Sequence, residues 1–124
     1  MKLQACLLAL CILGPWTSAA PAAEPKLPLH VFYVGSGPKA RVDAFAEFLK
    51  SHFTRVSMAS RDGFKTAQAQ DADVVLLDWS QAEGDSRKAT SPFGKVEEWS
   101  KPTVLLDSAG LIMAGQWQIF GGAG

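Results

Sequence analysis

Cysteine is scarce in this chain, and its position matters more than its number. Cys6 and Cys11 both lie near the start, so everything downstream lacks a thiol. Disulfides, thiolate nucleophiles and cysteine-ligated metal sites are thereby excluded from the remainder together. Histidine is almost as scarce. His30 and His52 stand far apart, without the His-x-Glu or His-x-x-x-His spacing of a metal site, and no metal or other cofactor is expected. Charge of one sign is also missing, because 12 basic residues stand against 12 acidic ones. That removes the electrostatic case for nucleic acid as a partner. Long apolar runs are absent too: Leu3 to Leu13 spans about eleven residues, where crossing a bilayer takes about twenty.

That short run fits a secretory signal. Met1-Lys2 supplies the positive start, Leu3 to Leu13 the apolar stretch, and Ser18-Ala19-Ala20-Pro21-Ala22-Ala23 the small residues that signal peptidase reads. Residues 1–23 are expected to be removed after Ala20 or Ala23, leaving an exported, periplasmic or secreted product with no membrane attachment. Neither cysteine fits a lipidation site, since Cys6 lies early in the apolar run instead of after it and Cys11 follows Leu10, where a small residue is required. Residues 24–28 read as a Pro-rich extended linker. Residues 29–124 then form one domain of roughly 100 residues, enough for a modest core.

Within that domain, apolar runs and helical periodicity alternate. Leu29 to Val34 reads as a buried strand ended by the tight loop Gly35-Ser36-Gly37-Pro38. Val42, Phe45, Ala46, Leu49 and Phe53 recur at helical spacing, with Arg41, Asp43, Glu47 and Lys50 on the other face. Arg55 to Ala59 predicts a second strand, Phe64 to Gln70 a short helix, and Asp73 to Trp79 the strongest strand of the chain. Ser80 to Lys101 is polar and irregular, with one amphipathic turn at Val96 and Trp99. Thr103 to Leu106 comes next as a fourth strand, and Leu111 to Phe120 as a mostly apolar stretch. This order builds an α/β domain with a flavodoxin-like parallel sheet of about four strands, order 2-1-3-4.

Ligands of such sheets sit beyond the carboxyl ends of the strands. The expected partner is a small polar ligand, with Gly35, Ser36, Gly37, Lys39, Asp78, Asp107 and Ser108 as its binding residues. Gly35-Ser36-Gly37-Pro38-Lys39-Ala40 fits G-x-G-x-x-A, a loop whose N–H groups suit a phosphate or carboxylate. A dinucleotide fold wants an acidic residue after the second strand, however, and Ala59-Ser60-Arg61 stands there; an arginine suits a 2′-phosphate instead. Asp78 holds the place of a receiver aspartate, but Gly35-Ser36 supplies no acidic pair for magnesium. Ser108, in Leu106-Asp107-Ser108-Ala109-Gly110, is the one catalytic candidate, as the nucleophile of a Ser-dependent hydrolase. Leu106 occupies the place where a nucleophile elbow needs glycine, and no histidine is near in sequence. Glu83 and Asp85 read as solvated loop residues, and Trp79, Trp99 and Trp117 as core or core edge before a carbohydrate platform.

The runs His30-Val31-Phe32-Tyr33-Val34-Gly35, Phe45-x-x-Phe48-Leu49-x-x-x-Phe53, Asp71 to Trp79 and Lys101 to Leu106 together resemble the class I glutamine amidotransferase-like fold, and within it the trehalose-utilisation (ThuA-like) group. The likeness spans Leu29 to about Gly115 and rests on structural residues. Amidotransferases proper carry a cysteine where this chain has Ser108, so the resemblance transfers no catalytic residue and implies at most a sugar-related role. That fold continues with further strands and a closing helix, so the ending Phe120-Gly121-Gly122-Ala123-Gly124 is expected to mark a truncated or minimal member.

A second reading treats Lys101 to Met113 as a proline-led strand, a turn and an antiparallel partner, which would make the chain a redox-inactive thioredoxin-like domain. The two readings differ just after the fourth strand: one needs a hairpin at Asp107 to Gly110, the other a helix after a parallel strand. Oligomeric state is left open by the balanced charge, and self-association would cover apolar surface on Leu111 to Phe120.

Overall fold

The computed structural model describes residues 24–80 and 90–119. The expected signal segment and the loop carboxylates Glu83 and Asp85 lie outside the described residues. Within them the chain forms β1 (Leu27–Gly35), α1 (Lys39–His52), β2 (Phe53–Ser60), β3 (Val74–Trp79), β4 (Thr103–Asp107) and α2 (Ala109–Gln116). The four strands make one parallel sheet in the order β2-β1-β3-β4, the flavodoxin-like arrangement expected from the alternation.

β1 sits in the middle because its sequence allows nothing else. His30 to Gly35 are all buried, and a strand paired on both edges and covered on both faces must read as a continuous apolar run. Its side chains divide by alternation. Val31 and Tyr33 pack with Leu49 of α1, joined at the margin by Val42, Phe45, Phe53, Val56, Val74 and Leu76. Phe32 and Val34 face the larger core with Val75, Leu77, Trp79, Phe93, Ile112 and Met113. Phe64, Phe93 and Trp99 interlock there, Phe64 edge-on to Phe93 at 5.6 Å and Phe93 stacked on Trp99 at 4.4 Å. Trp79 is buried, and Trp99 and Trp117 pack against the same core, with their N–H groups donated to Thr103 Oγ1 and the Gly94 carbonyl. Trp79, Trp99 and Trp117 are therefore core and core edge.

Element boundaries differ from the sequence expectation for local reasons. β1 begins at Leu27, so Leu27 and Pro28 of the expected linker belong to the strand. Its pairing with β2 slips between Leu27 and His30, where Pro28 has no N–H to give. Phe64 to Gln70 yields only a 3₁₀ turn, Thr66–Ala69, since the segment is too short to sustain an α-helix. The amphipathic turn expected at Val96 and Trp99 is a 3₁₀ turn, Val96–Glu98.

β4 runs parallel to β3 and leads at once into α2. Asp107 to Gly110 is thus a strand-to-helix turn, where the thioredoxin-like reading requires a hairpin. The described chain does not have that topology. In α2, Ile112 and Met113 are buried while Leu111 is exposed, which accounts for the apolar stretch as a one-sided helix.

Candidate functional site

The carboxyl ends of the strands gather most of the polar side chains that matter. In the order β2-β1-β3-β4 the chain leaves β1 toward β2 and leaves β3 toward β4, so the topological switch lies between β1 and β3. Two polar constellations flank it.

On the β1–β2 side is a cleft of about 660 Å³, lined by the loop after β1 (Gly35, Ser36, Gly37, Lys39) and by the end of β2 with its following turn (Met58 to Asp62). The loop is glycine-dependent at two points. A Cβ on Gly35 would stand 2.8 Å from the Tyr33 ring, closer than packed atoms approach, and Gly37 has φ +124°, a region that side chains rarely enter. Arg61 closes the far wall. Its guanidinium lies 4.1 Å from the centre of the Trp79 ring, and Nη1 donates to Ser36 Oγ at 3.2 Å. Its backbone N–H donates to the Gly35 carbonyl at 3.0 Å, so the two loops are tied together. Ser36 is buried by this contact. Lys39 is exposed and paired with Asp43 one turn along α1, a solvated pair of small energetic consequence.

On the β3–β4 side the polar groups are packed against one another. Asp78 is almost wholly buried. Its Oδ2 accepts the Tyr33 hydroxyl at 2.8 Å and Arg41 Nε at 3.2 Å, and its Oδ1 accepts Arg41 Nη2 at 2.8 Å. Burying a carboxylate costs several kcal/mol, roughly, unless partners replace its water; here three donors do. Burial first, and then the hydrogen bond to Asp78, push the Tyr33 hydroxyl far above the usual tyrosine range. The hydrogen bond and charge of Asp78 likewise raise Arg41. Asp107 Oδ2 approaches Arg41 Nη2 at 3.5 Å, from a backbone in the left-handed region at φ 57°.

These positions sort the residues nominated from sequence. Gly35, Ser36, Gly37 and Lys39 line the cleft. Asp78 does not: its oxygens are committed to Tyr33 and Arg41, so it anchors α1 to the sheet. Asp107 faces Arg41. Ser108 is buried at the start of α2, and its Oγ has no hydrogen-bond partner among the described residues. Its backbone is right-handed helical, at φ −67°; the left-handed residue of the turn is Asp107. Among the described residues no base is within hydrogen-bond reach to activate that hydroxyl. Sequence pattern nominates neither Tyr33 nor Arg41. Arg41 reads as one charge among several on the outer face of α1, and only the packing of α1 on the sheet brings it to Asp78.

Among the described residues no group of three or more His, Asp or Glu is placed to hold a metal, and no helix is long and apolar enough to cross a membrane. The chain matches no protein-family model, no curated protein and no solved structure.

Proposed function

We propose that this chain is an exported binding domain that takes a small polar ligand, a sugar or a molecule with an anionic group, in the cleft between the β1–α1 loop and the end of β2. The observation that carries this reading is the coincidence of three things at one place: a cleft of about 660 Å³, the glycine loop after β1, and Arg61 fixed between Trp79 and Ser36. Concave sites with a few oriented polar groups are where small molecules bind, and the carboxyl edge of a parallel sheet is where this architecture offers them. The ThuA-like resemblance is consistent with a sugar-related ligand. The buried, baseless Ser108 argues for binding over hydrolysis.

The test is a thermal-unfolding series of the purified chain against sugars, nucleotides and NADP, alongside Arg61→Gln and Ser108→Ala variants. A ligand that binds only the folded state raises the midpoint by mass action, adding about 2.7 kcal/mol of stability at a hundredfold excess over Kd. One ligand class should shift the parent protein and Ser108→Ala alike, and shift Arg61→Gln less. If no class shifts the midpoint, or Arg61→Gln responds fully, the cleft is not the binding site.

A further inference from the structure

The geometry points to a second site, separate from the cleft: we propose that the free end of the Arg41 guanidinium binds a carboxylate or phosphate oxygen pair, and that Asp107 is its built-in competitor. The fork of an arginine is rigid and planar. Nε and Nη2 are both spent on Asp78, which occupies one edge of that plane. Covalent geometry then aims the other edge, Nη1 with the second proton of Nη2, away from Asp78. Nη1 makes no hydrogen bond among the described residues, and the Arg41 side chain is 46% exposed. A guanidinium clamped on one edge and open on the other is pre-set for bidentate oxyanion recognition.

Asp107 is the second acidic side chain paired with Arg41, and it holds the guanidinium poorly. Its Oδ2 stands 3.5 Å from Nη2, beyond an ordinary N–H···O bond. The backbone restrains it, because Asp107 closes β4 opposite Trp79 with φ at 57°. A free carboxylate or phosphate is not tethered and can make both parallel bonds. Asp78 already balances the arginine, so Asp107 leaves the cluster with a net negative charge that opposes an incoming anion. The residue thus stands in for the ligand while weakening its binding. Arg41, Asp78 and Asp107 meet on the β3–β4 side of the sheet, whereas the cleft is lined from the β2 side. The two sites can therefore succeed or fail separately.

The experiment titrates the full chain at low ionic strength with inorganic phosphate and, separately, acetate, following the Arg41 Nε–H signal and the backbone amides by ¹H–¹⁵N NMR. Saturable shifts at Arg41 and at Asp107 to Ala109 are expected. Asp107→Asn should tighten phosphate binding roughly fivefold, the Coulomb effect of removing one nearby charge in water, and asparagine accepts the left-handed backbone. Arg41→Lys keeps a cation for Asp78 but has no fork, and should abolish the shifts at Asp107. Response to both anions marks a general oxyanion site, and response to phosphate alone marks a phosphate site. Unchanged or weaker binding in Asp107→Asn overturns the proposal, as does binding that survives in Arg41→Lys. Shifts confined to Gly35–Lys39 and Arg61 overturn it as well and assign the anion to the cleft. Should Arg41→Lys fail to fold, the Asp107→Asn comparison decides alone.

Discussion

Tyr33 is the only tyrosine in the chain, and its surroundings make a sharp test at the scale of single residues. The missing Cβ of Gly35 leaves room for its ring, and the ring carries its hydroxyl to the buried Asp78. Gly35→Ala should cost about 1–3 kcal/mol by forcing that ring aside. Tyr33→Phe should cost about 1 kcal/mol at neutral pH by removing a donor from a buried carboxylate. The pH dependence comes from the raised Tyr33 value. In the unfolded chain tyrosine ionises near pH 10, whereas the folded protein holds Tyr33 neutral well above that. Its contribution is therefore complete below about pH 10 and is lost as pH rises further. Urea midpoints measured between about pH 8 and 11 should fall more steeply above 10 for the parent than for Tyr33→Phe. Equal slopes would mean that Tyr33 is not held neutral. The folded protein's phenolate absorbance gives a second reading, because no other tyrosine contributes.

At the scale of elements, β4 is the odd strand. Its Thr-Val-Leu-Leu core has the composition of a strand buried on both faces, yet none of its residues is fully buried. The reason lies in what covers the sheet: α1 packs over β1 and β2, and α2 covers β3 and β4 on the other side. Val104 consequently remains 45% exposed, and on the neighbouring helix α2 Leu111 is 71% exposed. Exposed apolar groups on an edge strand invite association. Val104→Lys combined with Leu111→Lys should raise the concentration at which light scattering detects self-association, while changing unfolding free energy by less than about 0.5 kcal/mol per site. A larger loss of stability would mean that these side chains are packed in solution. The elements themselves are largely legible in sequence, since α1 announces itself by period and β1 and β3 by unbroken apolar runs. β4 can be named but not its exposure, which depends on helices elsewhere in the chain.

For the whole molecule, export is the prediction that belongs to the chain order alone. If the first residues act as a signal, protein recovered from the periplasm or medium should begin at Pro21 or Glu24, as N-terminal sequencing would read directly; an intact Met1 start in that fraction would refute it. By itself the sequence determined the class and order of the elements. Periodicity, apolar runs and Gly-Pro punctuation are local properties, and parallel pairing comes from their alternation. It also nominated Gly35, Ser36, Gly37 and Lys39, because a glycine loop between a strand and a helix is itself a local signal. Only the tertiary structure decided which charges meet. Arg41 and Asp78 are 37 residues apart in the chain, and nothing near either one marks it as the other's partner. The packing of α1 over the sheet brings them together, and burial then makes their pairing obligatory. The same packing turned Asp78 from a ligand candidate into an anchor and left the Ser108 hydroxyl without a hydrogen-bond partner among the described residues.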